Sequence, residues 1–382
     1  MKKRILVGLL GMVMIMSFAG CTATTEPVKQ AATTGESEET TPEEVSTEEQ
    51  TEAPTETPTE EQTEAQTKIQ YTVEYGCLYY DASADTYLYP GENIPDVVEE
   101  GDVYTTSDYT YTYGTIYEGW NVTVIDKEKT TYGELLSSIG GVDVTSLEKT
   151  FYYCKNLTTA PIIPTTVTNM ESTFEGCGKL TTAPVIPSNV TNMKLTFYGC
   201  SLETAPIIPS SVTNMKSTFY GCVSLYEAPE IPLGVTSLYE TFSLCTSLRT
   251  APEIPSSVTD LSYTFYGCEF TKAPKIPSSV TTMAGTFSHC EWLSEAPEIP
   301  SSVIDMGSTF SNCGRLRTAP KIPSSVKDMS TTFYNCTLLE GIVTIDANPI
   351  DYNGCFYGVD MLSRVTLTGS STMLEKLKST RY

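Results

Sequence analysis

Histidine is nearly absent from this 382-residue chain, which has only one, His289. Chemistry that passes protons between paired imidazoles therefore has no material here. Basic residues are scarce too: 23 Lys and Arg stand against 47 Asp and Glu, a formal net charge of −24. Polyphosphate contacts need clustered Lys and Arg, so a nucleic-acid partner is excluded. The chain has no His-x-x-x-His pair, no Gly-x-Ser-x-Gly elbow and no Gly-rich phosphate loop. Its apolar run at Ile5–Phe18 covers 14 residues, too short to cross a bilayer comfortably. The acidity is unevenly placed, with −12 on residues 22–67, −12 on 69–149 and only −4 on 150–382.

The front of the chain reads as an address followed by a tether. Lys2, Lys3 and Arg4 precede the apolar run, the pattern of a signal peptide over residues 1–20. Phe18-Ala19-Gly20-Cys21 then resembles the bacterial lipoprotein box. That resemblance implies acylation of Cys21 and a membrane partner reached through the lipid. Residues 22–67 hold 14 Thr and 13 Glu and no aromatic. Such a segment cannot bury enough apolar surface to offset its ordering entropy, so residues 21–68 are expected to be a disordered spacer.

Composition then changes abruptly. Half of the 24 Tyr fall between Tyr71 and Tyr132. Alternating runs such as Tyr109-Thr110-Tyr111-Thr112-Tyr113 and Trp120-Asn121-Val122-Thr123-Val124 predict a small β-rich module over 69–141. Thr131-Tyr132-Gly133-Glu134 has capping-box spacing, and Gly140-Gly141 follows Leu135, Leu136 and Ile139. This predicts one short helix closing the module.

From Val144 the chain repeats itself. Phe151, Phe174, Phe197, Phe219, Phe242, Phe265, Phe287, Phe310, Phe333 and Phe356 recur every 22 or 23 residues. The unit reads Val-Thr-x-Met-x-x-Thr-Phe-x-x-Cys-x-x-Leu-x-x-Ala-Pro-x-Ile-Pro-Ser-Ser, and a repeat of this period indicates a solenoid. Met170, Phe174, Cys177 and Leu180 have the spacing of one helical face, so a short helical turn is expected in each coil. Residues that can cap a helix, such as Asn169, Asn192 and Asp260, stand just before the Met or Leu. Gly176, Gly199, Gly221, Gly267, Asn312 and Asn335 suit a left-handed stop before Cys. The expected class is α/β: a right-handed, leucine-rich-repeat-like solenoid of about ten coils over 142–368, with a C-terminal cap helix within 369–382. Whether Leu-x-x-Ala or Val-Thr carries the strand ladder stays open, because two prolines per coil keep any strand short.

Phe-x-x-Cys-x-x-Leu followed by Ile-Pro-Ser-Ser-Val-Thr resembles the BspA-like leucine-rich repeats of bacterial surface proteins. The Met-x-x-Thr-Phe and Ala-Pro-x-Ile-Pro variant is similar to repeats in surface lipoproteins of mycoplasmas and gut Firmicutes. The resemblance implies a cell-surface location and a role in adhesion or host contact.

Nine cysteines, from Cys154 to Cys336, occupy one column of the repeat. They are expected to be buried thiols, because parallel side chains on stacked coils fit the disulfide torsion poorly. A Cys290–His289 dyad is the catalytic alternative, and no metal or cofactor is expected. Candidate binding residues fall into three groups. The x of Ala-Pro-x-Ile-Pro should point outward, and Ile162, Val185 and Ile207 there form an aliphatic strip, covered either by the Tyr-rich module or by a ligand. Further along, Glu253, Lys275, Glu298 and Lys321 alternate in sign as a charge ladder. Tyr152, Tyr198, Tyr220 and Tyr266 follow the repeating Phe, either as an exposed aromatic column or as covers for their own coils. Trp120 and Tyr111, with Tyr109 and Tyr113, could centre a glycan- or cell-wall-binding module. The expectation is a non-catalytic, lipid-anchored surface protein whose partner is a protein or glycan of a host or neighbouring cell.

Overall fold

The computed structural model describes residues 98–361 and 363–379, with the backbone of two strands at 78–81 and 86–88. The leader, Cys21, the tether and Cys77 lie outside the described residues. Strands β1 (Leu78–Asp81), β2 (Thr86–Leu88), β3 (Val103–Thr105), β4 (Tyr109–Gly114), β5 (Gly119–Val124), β6 (Ser138–Ile139) and β7 (Val142–Ser146) form one sheet in the order β2-β1-β3-β4-β5-β7-β6. Neighbours are antiparallel except β5 and β7, which run parallel. Alternation along β4 turns Tyr109 and Tyr111 inward, while Thr110 and Thr112 face out.

The β5–β7 pairing turns the sheet into the first layer of the stack. Thr150 Oγ1 donates to Val122 O on β5 at 2.7 Å. The next coil repeats that bond, Thr173 Oγ1 to Leu147 O at 2.9 Å. So β5 stands where a preceding coil would stand. The close approach is possible because position 119 is Gly; a Cβ there would lie 2.5 Å from Asp143 O.

The expected helix over 131–139 does not form. Its backbone is claimed by β4 and the turn before it. Gly133 N donates to Asp108 Oδ2 at 2.6 Å, Gly133 O accepts from Tyr109 Oη at 2.8 Å, and Leu136 N donates to Tyr111 Oη at 3.1 Å. Val144 N takes Ser137 O, and the segment ends in β6 rather than a helical turn.

The helical turn expected in each coil is also corrected, and with it the α/β class. Among the described residues the one α-helix is α1 (Ser371–Ser379), which buries Met373 and Leu377 beyond β8 (Gly341–Ile345) and β9 (Val365–Gly369). Within a coil, alternate amides point to different partners. Met170, Ser172, Phe174 and Gly176 donate to Asn192, Lys194, Thr196 and Tyr198 of the next coil at 2.7–2.9 Å. Thr173, Glu175 and Cys177 close four-residue turns on Met170, Ser172 and Phe174. A helix would direct every amide along its own axis and leave nothing for the neighbour. The alternation requires left-handed residues four apart, at Ser172 and Gly176 (φ 53° and 74°). The expected stops at Gly199, Gly221, Gly267, Asn312 and Asn335 all have φ between 55° and 69°. Met, Phe, Cys and Leu still face inward, because successive tight turns return each of them to the same side.

The open question of the ladder has a third answer. Both proposed segments contribute only isolated parallel bridges, such as Asn169–Asn192 and Thr182–Thr204. The dense inter-coil bonding runs through the turns between Met and Cys. The core is a file of ten Phe rings from Phe151 to Phe356, with successive centroids 5.2–5.9 Å apart and planes within 14°.

Candidate binding faces

The Ala-Pro-x-Ile-Pro segment has the orientation its pattern dictates. Ile163, Ile186 and Ile208 are buried, and the preceding residues Ile162, Val185 and Ile207 are 85%, 87% and 90% exposed. Among the described residues nothing of the Tyr-rich module covers the strip. The described part of that module packs its apolar surface on the end of the stack through β5. Along the same face the Ala-Pro-x-Ile-Pro segments at 251–255, 273–277 and 296–300 bound a groove of about 990 Å3. Glu253, Lys275 and Glu298 stand exposed on it without an ion pair among the described residues. The expected charge ladder reduces to Lys321–Asp346 at 2.7 Å. Fully hydrated side chains gain too little from pairing to be held in one geometry.

The Tyr column is discontinuous. Tyr198 and Tyr220 stack at 4.5 Å with planes 3° apart, and both are half-buried. Burial pushes the Tyr198 hydroxyl up to about 12, helped by its neighbour Tyr220. Tyr152 packs edge-on against Tyr153 under Lys127, and Tyr266 meets the ring of His289 at 5.0 Å. Glu175, Ser243, Ser288 and Ser311 interrupt the run, so what remains are short aromatic patches covering their own turns.

Trp120 and Tyr111 are corrected outright: both are 0% exposed. Trp120 Nε1 donates to Ile139 O at 3.2 Å, and Tyr109 packs edge-on against Phe151, the first ring of the file. Tyr113, half-buried, lies edge-on to Trp120. Aromatics that alternate along a strand serve a core or a sugar platform equally well. The parallel partner β7 decides for the core.

The cysteine column is free and buried. From Cys177 to Cys336 each Sγ donates to the carbonyl of the Phe one coil back, as in Cys177 to Phe151 O at 3.1 Å and Cys290 to Phe265 O at 3.1 Å, while Cys154 at the head of the column accepts from Tyr132 Oη at 3.4 Å. Burial pushes Cys200, Cys245, Cys290 and Cys336 up to about 12. Cys290 thus faces the core while His289 is exposed, so the two form no dyad. Cys355 is buried and stands in the slot of the repeating Thr, its carbonyl accepting from Phe333 N at 2.8 Å.

Those repeating threonines went unread in the sequence. Thr196, Thr241, Thr264 and their equivalents from Thr173 to Thr332 are fully buried, and each hydroxyl donates to a Met or Leu carbonyl one coil back at 2.8–2.9 Å. A hydroxyl before every Phe was the available signal, since a buried hydroxyl needs a fixed partner. Also unread was a groove at the turns, where Trp292, one of two tryptophans, is 42% exposed beside Arg315.

A family model for the BspA type leucine rich repeat region, in 6 copies, matches residues 144–263, 216–340 and 261–377. Among solved structures, the chain is 24% identical to a leucine rich repeat protein of T. pallidum, with 56% of this chain and 90% of that one covered and a TM-score of 0.38. A leucine-rich repeat protein from Bacteroides ovatus is 17% identical, with 69% and 99% covered and a TM-score of 0.31. A leucine rich cell surface protein from Faecalibacterium prausnitzii is 15% identical, with 73% and 98% covered and a TM-score of 0.34. No match is found among curated proteins.

Proposed function

The chain belongs to the BspA-type leucine-rich-repeat family, and from that premise we propose that it is a non-catalytic cell-surface adhesion protein, lipid-anchored at Cys21. Its ligand is a protein of a host or neighbouring cell, docked along the Ala-Pro-x-Ile-Pro face. One observation carries the reading: Ile162, Val185 and Ile207 stand bare on three successive coils. Soluble surfaces seldom leave such a strip uncovered without a partner. A rigid stack presents it at little entropic cost, since the coil backbone is already ordered before a ligand arrives. The Thr- and Glu-rich segment 22–67 would hold the stack away from the membrane. In this reading the solenoid has about ten coils, one per Phe of the file. It is right-handed, because successive coils join through parallel bridges and parallel crossovers are overwhelmingly of that hand.

Changing Ile162, Val185 and Ile207 together to Lys tests the docking face. The three are solvent-exposed, so the melting temperature should stay within the range of ordinary surface substitutions. Capture of surface proteins from host cells by the full chain should be lost. Identical capture by the triple variant and the parent would remove this face from the function.

A further inference from the structure

On the turn side of the coils, we propose that the groove between Trp292 and Asn335 binds a neutral carbohydrate. The left-handed position before Cys is Gly in several coils, but three successive coils place His289, Asn312 and Asn335 there, with φ of 60°, 59° and 55°. Stacking sets these side chains one coil step apart, and they join. Asn335 Nδ2 donates to Asn312 Oδ1 at 3.0 Å; Asn312 Nδ2 donates to His289 Nε2 at 3.1 Å and to Ser311 Oγ at 3.2 Å. An amide nitrogen only donates, so Nε2 is the accepting ring nitrogen in this ladder. The ladder uses Asn312 Oδ1 and His289 Nε2 as acceptors and leaves Asn335 Oδ1 and His289 Nδ1 outside it.

Beside the ladder, the Arg315 guanidinium lies 3.7 Å from the centre of the Trp292 ring. With Glu291 these residues bound a groove of about 370 Å3. Glu291 and Arg315 are both exposed, and neither makes an ion pair among the described residues. The mixture of groups selects the ligand. An anion needs donors alone and would face the Glu291 carboxylate. A cation needs acceptors alone and would face Arg315. Hydroxyl groups both donate and accept, so a polyhydroxyl ligand meets the carboxylate, the guanidinium and the amide with complementary bonds. Arg315 covers one face of Trp292, and the part of the ring that stays exposed adds an aromatic surface for the C–H faces of a sugar ring. Stacking on Trp292 restrains the Arg315 fork, and the coil backbone restrains the rest, so little freedom is lost on binding. The groove uses other columns of the coil than the Ile162 strip, so it stands or falls independently of the docking face.

The two tryptophans make the test direct. Trp120 is fully buried, so acrylamide quenching of the full chain reads Trp292. The probes are maltohexaose, cellohexaose and chitohexaose, with a hyaluronan hexasaccharide as the anionic counterpart. At least one neutral oligosaccharide should shield Trp292, with an affinity that does not fall when salt screens the charges. Arg315→Ala and Glu291→Gln should each weaken that binding about tenfold by calorimetry. Asn335→Gly, which keeps the left-handed backbone available, should weaken it by a smaller factor at unchanged melting temperature. The proposal is overturned if no neutral sugar in the panel shields Trp292, if only hyaluronan does, or if the Arg315 and Glu291 variants bind like the parent.

Discussion

Replacing Phe242 by Ala probes the ring file at its middle. The side chain is 0% exposed and lies between Phe219 at 5.7 Å and Phe265 at 5.9 Å, with planes tilted by only 4° and 7°. Core Phe→Ala substitutions cost about 3–5 kcal/mol, more where the cavity cannot collapse. Collapse is restricted here by bonds on both sides of the gap. Phe219 N donates to Thr241 O and Phe242 N to Thr264 O, each at 3.0 Å, and Cys245 Sγ donates to Phe219 O at 3.1 Å. The expected loss is therefore in the upper half of that range, about 4 kcal/mol. Phe242→Leu, which fills most of the space, should cost only about 1–1.5 kcal/mol. Because each coil touches only its neighbours, the damage should be local. Amide hydrogen exchange reads it: protection at Phe219 and Phe242 should fall by about three orders of magnitude, the equivalent of about 4 kcal/mol. Amides near the capped ends, such as Phe151 and Phe333, should change far less. A loss below about 1 kcal/mol would refute the packing described for the file. Equal loss of protection from Phe151 to Phe333 would refute nearest-neighbour stability.

The buried thiols make the fold sensitive to alkali. In the unfolded chain a thiol ionises near pH ~8.5, whereas burial holds Cys245 and Cys290 protonated up to about 12. Above the unfolded value the unfolded chain binds fewer protons, so unfolding free energy falls as pH rises, by up to ~1.4 kcal/mol per pH unit for each thiol; below it these groups contribute no slope. Urea midpoints measured on either side of that pH should show the decline, and Cys245→Ala should make it shallower; a flat profile contradicts burial. An alkylating reagent without reductant should label the Cys154–Cys336 column only after denaturation, and successive Cys–Cys links found by mass spectrometry would contradict the free thiols. Gly285→Ala should destabilise by about 1 kcal/mol or more, since φ is 59° and the new Cβ would lie 2.4 Å from the Tyr263 ring; Gly178→Ala, with nothing within 4 Å of the added carbon, is the control for thermal melting. Cys21→Ser should release the protein from cells into the medium, and a variant that stays in the detergent phase would dispose of the lipid anchor.

The repeat was legible because periodicity is local information. Phe every 22 or 23 residues, Cys three later and Ile after Ala-Pro-x determine which side chains face inward. They determine the outward residues as well, so the outward strip at Ile162, Val185 and Ile207 is legible in the pattern itself. The left-handed slot before Cys was legible for a similar reason, since Gly and Asn recur there and few other residues tolerate that backbone readily. The spacing of Met, Phe and Cys fits a helix and a chain of tight turns equally. Only the neighbouring coil, drawing alternate amides sideways, selected the turns. The same applies at the front. Trp120 and Tyr111 have one pattern whether they face solvent or a core, and the parallel pairing of β5 with β7 put them inside. Likewise, His289, Asn312 and Asn335 are 23 residues apart in sequence, and one at a time they indicate a backbone conformation or a dyad rather than a shared ladder. Stacking made them neighbours, because contacts between coils depend on register in three dimensions, which no single repeat contains.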